Sequence, residues 1–113
     1  MFDPPRAVEV LIFEVRADAV ERWLTADHEL WTLAEAARFP ALVDKEIWLG
    51  PEGPWRKVTV VITWTSLEAW RAVDMAWVEG QERRFAEVVG AGSYRLVSAP
   101  HEVEQFHKIN EYR

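Results

Sequence analysis

The chain has 113 residues, room for one domain that buries roughly two-thirds of its unfolded surface, and its 50% hydrophobic and 28% charged residues are globular values that speak against disorder beyond the ends. Nineteen acidic against thirteen basic residues give a net charge of -6 spread along the chain, which speaks against a nucleic-acid partner, and the absence of cysteine excludes disulfides, zinc-thiolate sites and thiol chemistry. No run of about 18 apolar residues is present, and Met1-Phe2-Asp3-Pro4-Pro5 does not read as a signal peptide, so no membrane partner and a cytoplasmic location are expected.

Val8 to Arg16 is dense in β-formers, with Val8/Val10/Ile12 on one face and Leu11/Phe13/Val15 on the other, and predicts a strand apolar on both sides. Asp18 with Glu21 three residues on has capping-box spacing, and a helix is expected from there to about Arg38, stopped by Pro40. At ~3.6 residues per turn, Val20, Trp23, Leu24, Leu30, Trp31 and Ala34 share one apolar sector, and Asp27 projects into its middle. A carboxylate there needs a partner. Two readings stand: an internal pair with Arg38, Arg84 or a backbone amide, or an acid facing a ligand. Glu29 and Thr32 fall on the outer side, and His28 at the sector's edge.

Leu42 to Leu49 predicts a second strand with Val43, Lys45, Ile47 and Leu49 opposite Asp44, Glu46 and Trp48. Gly50-Pro51-Glu52-Gly53-Pro54 reads as a hairpin connection into a third strand from about Trp55 to Thr65. Thr65 or Ser66 can cap a second helical region that runs to Gly90, with a break near Asp74. Its stripe of Leu67, Trp70, Val73, Trp77, Val78, Phe85 and Val88 also holds Asp74 and Gln81, two polar intruders like Asp27. Gly80 implies a kink or a close contact. Ser93 to Ala99 predicts a fourth strand, and Val103, Phe106, Ile109 and Tyr112 alternate loosely into either a last edge strand or an arm toward a partner chain.

The order β-α-β-β-α-β is that of an α+β ferredoxin-like fold, an antiparallel four-stranded sheet with both helices on one face. One domain over residues 1–113 is expected, with its core at 8–99 and an extension at 100–113. The central strands are apolar on both faces, so a second copy is expected to cover the open one, giving a homodimer.

Three tryptophan-bearing stretches carry a resemblance: Asp27-x-Glu29-x-Trp31-Thr32, Lys45-Glu46-x-Trp48, and Ile62-x-Trp64-x-Ser66-x-Glu68-x-Trp70, followed by Arg84-Phe85 and the helix-ending Gly90. In these the chain resembles a small family, known mainly from cyanobacteria and without an assigned reaction, within the dimeric α/β-barrel superfamily. It departs from that family at Pro40-Ala41-Leu42, where Pro-Gly-Phe is favoured, and in the tail after Pro100. The resemblance implies the ferredoxin-like dimer and a distant likeness to antibiotic-biosynthesis-type monooxygenases. Haem-degrading relatives carry a first-strand Asn and a second-helix His, which this chain lacks. No cofactor is expected.

Asp27, Trp31, Trp64, Trp70, Trp77 and Gln81 are the candidate ligand-binding residues, with Asp27 as base or hydrogen-bond anchor; large rings with a few polar anchors suit a small apolar or aromatic ligand. The same rings can equally fill a core, in which case no cavity larger than a water or two is expected. His101 and His107 with Glu102 and Glu104 match no zinc spacing and read as solvated tail, and Glu46 reads as an interface ion-pair residue. The chain is therefore expected to be a structural or small-ligand-binding module, the alternative being a cofactor-independent monooxygenase-like enzyme with its pocket between helices and sheet.

Overall fold

The computed structural model describes residues 1–99 and 106–113. Strands β1 (Arg6–Arg16), β2 (Leu42–Leu49), β3 (Trp55–Trp64) and β4 (Tyr94–Ser98) form an antiparallel sheet in the order β2-β3-β1-β4, the ferredoxin-like arrangement the alternation predicts. A fifth strand, β5 (Phe106–Lys108), also pairs with β1, at Arg6–Val8, whereas β4 pairs with Ile12–Val15. Because β3 runs along the whole other edge of β1, from Ala7 to Arg16, β4 and β5 share one edge. Of the C-terminal alternation, Phe106 lies in this edge strand, Ile109 and Tyr112 follow it, and Val103 lies outside the described residues.

The first helical region joins a 3-10 turn (Ala17–Ala19), α1 (Val20–Ala26), a π-helical turn (Asp27–Thr32) and α2 (Leu33–Arg38). It ends at Phe39, whose extended backbone suits the residue before proline. The expected capping box does not form: no side chain caps this end, and Asp18 instead lies 3.8 Å from Arg16 in an exposed ion pair. Water solvates both groups, and the 3-10 turn carries the chain into the helix without them.

The second region is split where the sequence predicts. Ser66 accepts from the Ala69 amide and starts α3 (Leu67–Arg71); Asp74 accepts from the Ala76 amide at 3.0 Å and starts α4 (Met75–Val89). Gly90, at φ +95°, ends α4 in a conformation that suits glycine, and a Cβ there would meet Ser93 Oγ at 2.9 Å. No described helix is long and apolar enough to cross a membrane.

Alternation assigns the sheet faces. Val15, Val58 and Trp64 turn toward the helices and are buried with Trp23, Phe85 and Val89. Each such aliphatic side chain contributes about 1.5–3 kcal/mol. Val8, Val10 and Ile12 of β1 share the opposite face with Val61 and Thr63 of β3, as the pairings Val8 to Thr63 and Val10 to Val61 require. Trp48, Val97 and Phe106 stand exposed on that face.

Candidate functional site

Between helices and sheet lies a cavity of about 810 Å³. Two aromatic groups frame it. Phe13, Trp23, Phe85 and Tyr94 form a chain of tilted and edge-to-face contacts with centroids 5.2–5.5 Å apart, linking β1, α1, α4 and β4. Trp31, Trp77, Phe39 and Trp64 form a second chain, at 6.2, 5.3 and 6.0 Å. The space between them is walled by Leu11, Val60, Ile62 and Trp70, and the exposed Met75, Glu82 and Leu96 mark its mouth. A core filled by the tryptophans alone would leave no such space, so the expectation of a closed core is overturned.

Six charged side chains also line this cavity: Glu9 of β1, Asp27 of the π turn, Glu35 of α2 and Lys45 of β2, with Arg71 of α3 and Glu82 of α4 beyond them. Asp27 is 5% exposed, and both of its oxygens lie 3.1 Å from Lys45 Nζ, itself on a side chain only 6% exposed. The partner of Asp27 is therefore Lys45, not Arg38, Arg84 or a backbone amide. Arg38 lies 3.6 Å from Asp74, and Arg84 donates to Gln81 Oε1 at 3.3 Å. Burial pushes the Asp27 carboxyl above the usual range, and the ammonium pulls part of that back.

Two local irregularities bring these groups together. In an unbroken α-helix, Glu35 would sit about 80° round from Asp27, and Ala34 would share its face. Within the π turn the Leu33 amide donates to His28 O, five residues back, which widens the turn and advances the following face by one position. Glu35, not Ala34, is consequently the buried residue, at 6% exposure. In β2 a bulge lies between Leu42 and Asp44: Leu42 pairs with Trp64, Asp44 with Thr63 and Lys45 with Ile62. Without the extra residue Asp44 would oppose Ile62 and face the cavity in place of Lys45.

The Glu35 carboxyl makes no hydrogen bond or ion pair with any described residue. Burial is the chief reason its pKa is raised to about 7; Lys45 opposes the shift, and Glu9 and Asp27 add to it. Glu9 is likewise raised by burial, and the indole N–H groups of Trp64, at 3.4 Å, and Trp70 hold it down. Trp23, 1% exposed in the cavity wall, has an indole N–H with no acceptor among the described residues.

Of the residues singled out in the sequence, Asp27, Trp31, Trp64 and Trp70 line the cavity. Trp77 and Gln81 do not. Trp77 packs edge-on behind Trp31 and Phe39, and buried Gln81 donates to the Leu30 carbonyl inside the π turn. Asp74 is half exposed, a helix cap. His28 is exposed and outside the cavity wall, and Glu46 accepts from Trp48 Nε1 at 3.2 Å on the open face. His101, Glu102 and Glu104 lie outside the described residues, among which no three His, Asp or Glu side chains converge as a metal site requires. Glu9, Glu35 and Lys45 were missed as site residues. Alternation within apolar strand faces marks Glu9 and Lys45; nothing in the sequence marks the π turn.

The strand order and the helix-covered cavity define a ferredoxin-like α+β protein with a ligand-sized pocket beneath its helices. Among solved structures the chain is similar to a dimeric ferredoxin-like protein from an uncultured marine organism, at 12% identity and a TM-score of 0.57, over 95% of this chain and 91% of that one. No family model and no curated protein matches the chain.

Proposed function

We propose that the chain is a small-molecule-binding module acting as a homodimer, each copy holding a largely apolar or aromatic ligand between helices and sheet. The observation that carries this is the cavity of about 810 Å³, with apolar walls and a few polar groups gathered among them, the usual form of a small-molecule site. The apolar open face and the dimeric state of the structural neighbour support the homodimer.

A neutral solvatochromic dye such as Nile red tests the pocket. It should bind once per chain with a blue-shifted emission, and Leu11→Trp, which adds bulk inside the cavity, should abolish that binding while leaving the circular dichroism unchanged. Equal binding to both proteins would falsify the assignment.

One observation favours an enzyme of the cofactor-independent monooxygenase type as a second reading. A carboxyl with a pKa of about 7 in an apolar cavity is tuned to accept a proton near neutral pH, and that carboxyl is Glu35. Asp27, the acid the sequence puts forward for this role, is engaged on both oxygens by Lys45. Oxygen uptake with a bound electron-rich aromatic ligand separates turnover from binding alone.

A further inference from the structure

The cavity's charges are unequal in a way that names its ligand class, given the pocket reading above. Four carboxyl groups, Glu9, Asp27, Glu35 and Glu82, share it with two cations, Lys45 and Arg71; Lys45 is committed to both oxygens of Asp27, and Arg71 is itself engaged. Glu9 takes the indole N–H of Trp64. Glu35, 6% exposed, lines the cavity, and its carboxyl has no hydrogen-bond or ion-pair partner among the described residues. A buried carboxyl left this way costs stability unless something in the cavity meets it.

An anion is disfavoured, because it would have to displace Asp27 from Lys45, or draw Arg71 from its own partner, in a wall with more carboxyl groups than cations. A neutral apolar molecule would leave Glu35 unmet. Chelation of a metal ion is disfavoured too, since among the described residues the acids surround a space rather than converge on a point. What fits is positive charge on an apolar body. The indole rings of Trp31, Trp64 and Trp70 in the same walls add π-faces that attract cations.

We propose that the cavity binds an organic cation, a protonated amine on an aromatic or apolar body, with its nitrogen at Glu35 and Glu9 and its body against the tryptophan walls. Binding then favours the ionised form of Glu35. The groups facing this carboxyl are Glu9 from β1, Asp27 from the π turn and Lys45 from β2, with Arg71 and Glu82 farther along the wall. Affinity for the amine accordingly rises with pH across the range in which Glu35 loses its proton.

The test displaces Nile red from the intact protein with three probes of one shape: 2-phenylethylamine, 2-phenylethanol and 3-phenylpropanoate. The amine should bind at least about tenfold more tightly than the alcohol, the worth of one charge-assisted hydrogen bond, and the carboxylate most weakly. Amine affinity should rise from about pH 6 to about pH 8, and calorimetry in two buffers of different ionisation heat should show net proton release. Glu35→Gln should lose the preference and the proton release while its affinity for the alcohol stays the same, which also reports that the cavity is intact. The proposal is overturned if the alcohol or the carboxylate binds as well as the amine, if the amine fails to displace the dye, or if Glu35→Gln binds the amine as the unaltered protein does. Failure of Nile red itself to bind removes the pocket reading and this inference together. Dye binding without an amine preference removes only the inference.

Discussion

At the scale of residues, Glu35 carries the most consequence. Its carboxyl ionises near 4.5 in the unfolded chain and at about 7 in the folded one, so between those values the folded state holds a proton the unfolded state has lost. Stability therefore falls as pH rises through this window, by on the order of 3 kcal/mol in full, and the raised carboxyls of Glu9 and Asp27 act in the same direction. Glu35→Gln removes the group's contribution. Urea denaturation midpoints should show the variant more stable than the parent above about pH 7 and indistinguishable from it near pH 4.5. Parallel pH profiles for the two proteins would count decisively against the buried, unpaired state of this carboxyl. A strongly shifted carboxyl that weakens the fold at neutral pH is a mark of candidate functional sites.

At the scale of elements, the site depends on a π turn and a bulge, each adding one residue to a regular ladder. The turn exchanges Ala34 for Glu35 at the cavity, and the bulge exchanges Asp44 for Lys45; together they convert two apolar or mismatched positions into a carboxyl and its neighbouring cation. Asp74 shows the reverse: a polar residue in an apolar stripe that serves as a helix cap. Gly80 also resolves. A Cβ at that position meets only the end of the Arg83 side chain, at 3.8 Å, so neither a kink nor close packing calls for glycine. Gly80→Ala should accordingly raise the unfolding free energy by about 1 kcal/mol, read as a higher urea midpoint at unchanged slope. A loss of stability would mean that α4 needs the freedom glycine provides.

At the scale of the whole molecule, the sheet has one face sealed by helices and one that ends in exposed apolar residues. Trp48 is 55% exposed on the latter, on the edge strand β2, with Val97 and Phe106 exposed at the opposite edge. Tryptophan is among the residue types that carry most of the binding energy at interfaces. Sedimentation equilibrium at micromolar concentration should show a dimer, and Trp48→Lys should weaken it at least about tenfold without unfolding the chain. A stable monomer in the unaltered protein would remove the homodimer from the proposal.

Alternation, capping and punctuation are local properties, and they determined the order of the elements, the ferredoxin-like sheet, the end of the first helix before Pro40, the break at Asp74 and the stop at Gly90. They also placed Asp27 and Trp31 toward the sheet and Trp64 and Trp70 near the same space. Tertiary structure alone decided which acid is paired and which is free. The register of a helix after a π turn, and of a strand after a bulge, is set by the elements packed against them, so the choice of Glu35 over Ala34 and of Lys45 over Asp44 is made by contacts distant in the chain. The same holds for the tryptophans, which had looked equally suited to a core or a pocket: Trp23, Trp31 and Trp64 belong to aromatic groups that pack at the cavity's edges, and the space left between those groups is the site.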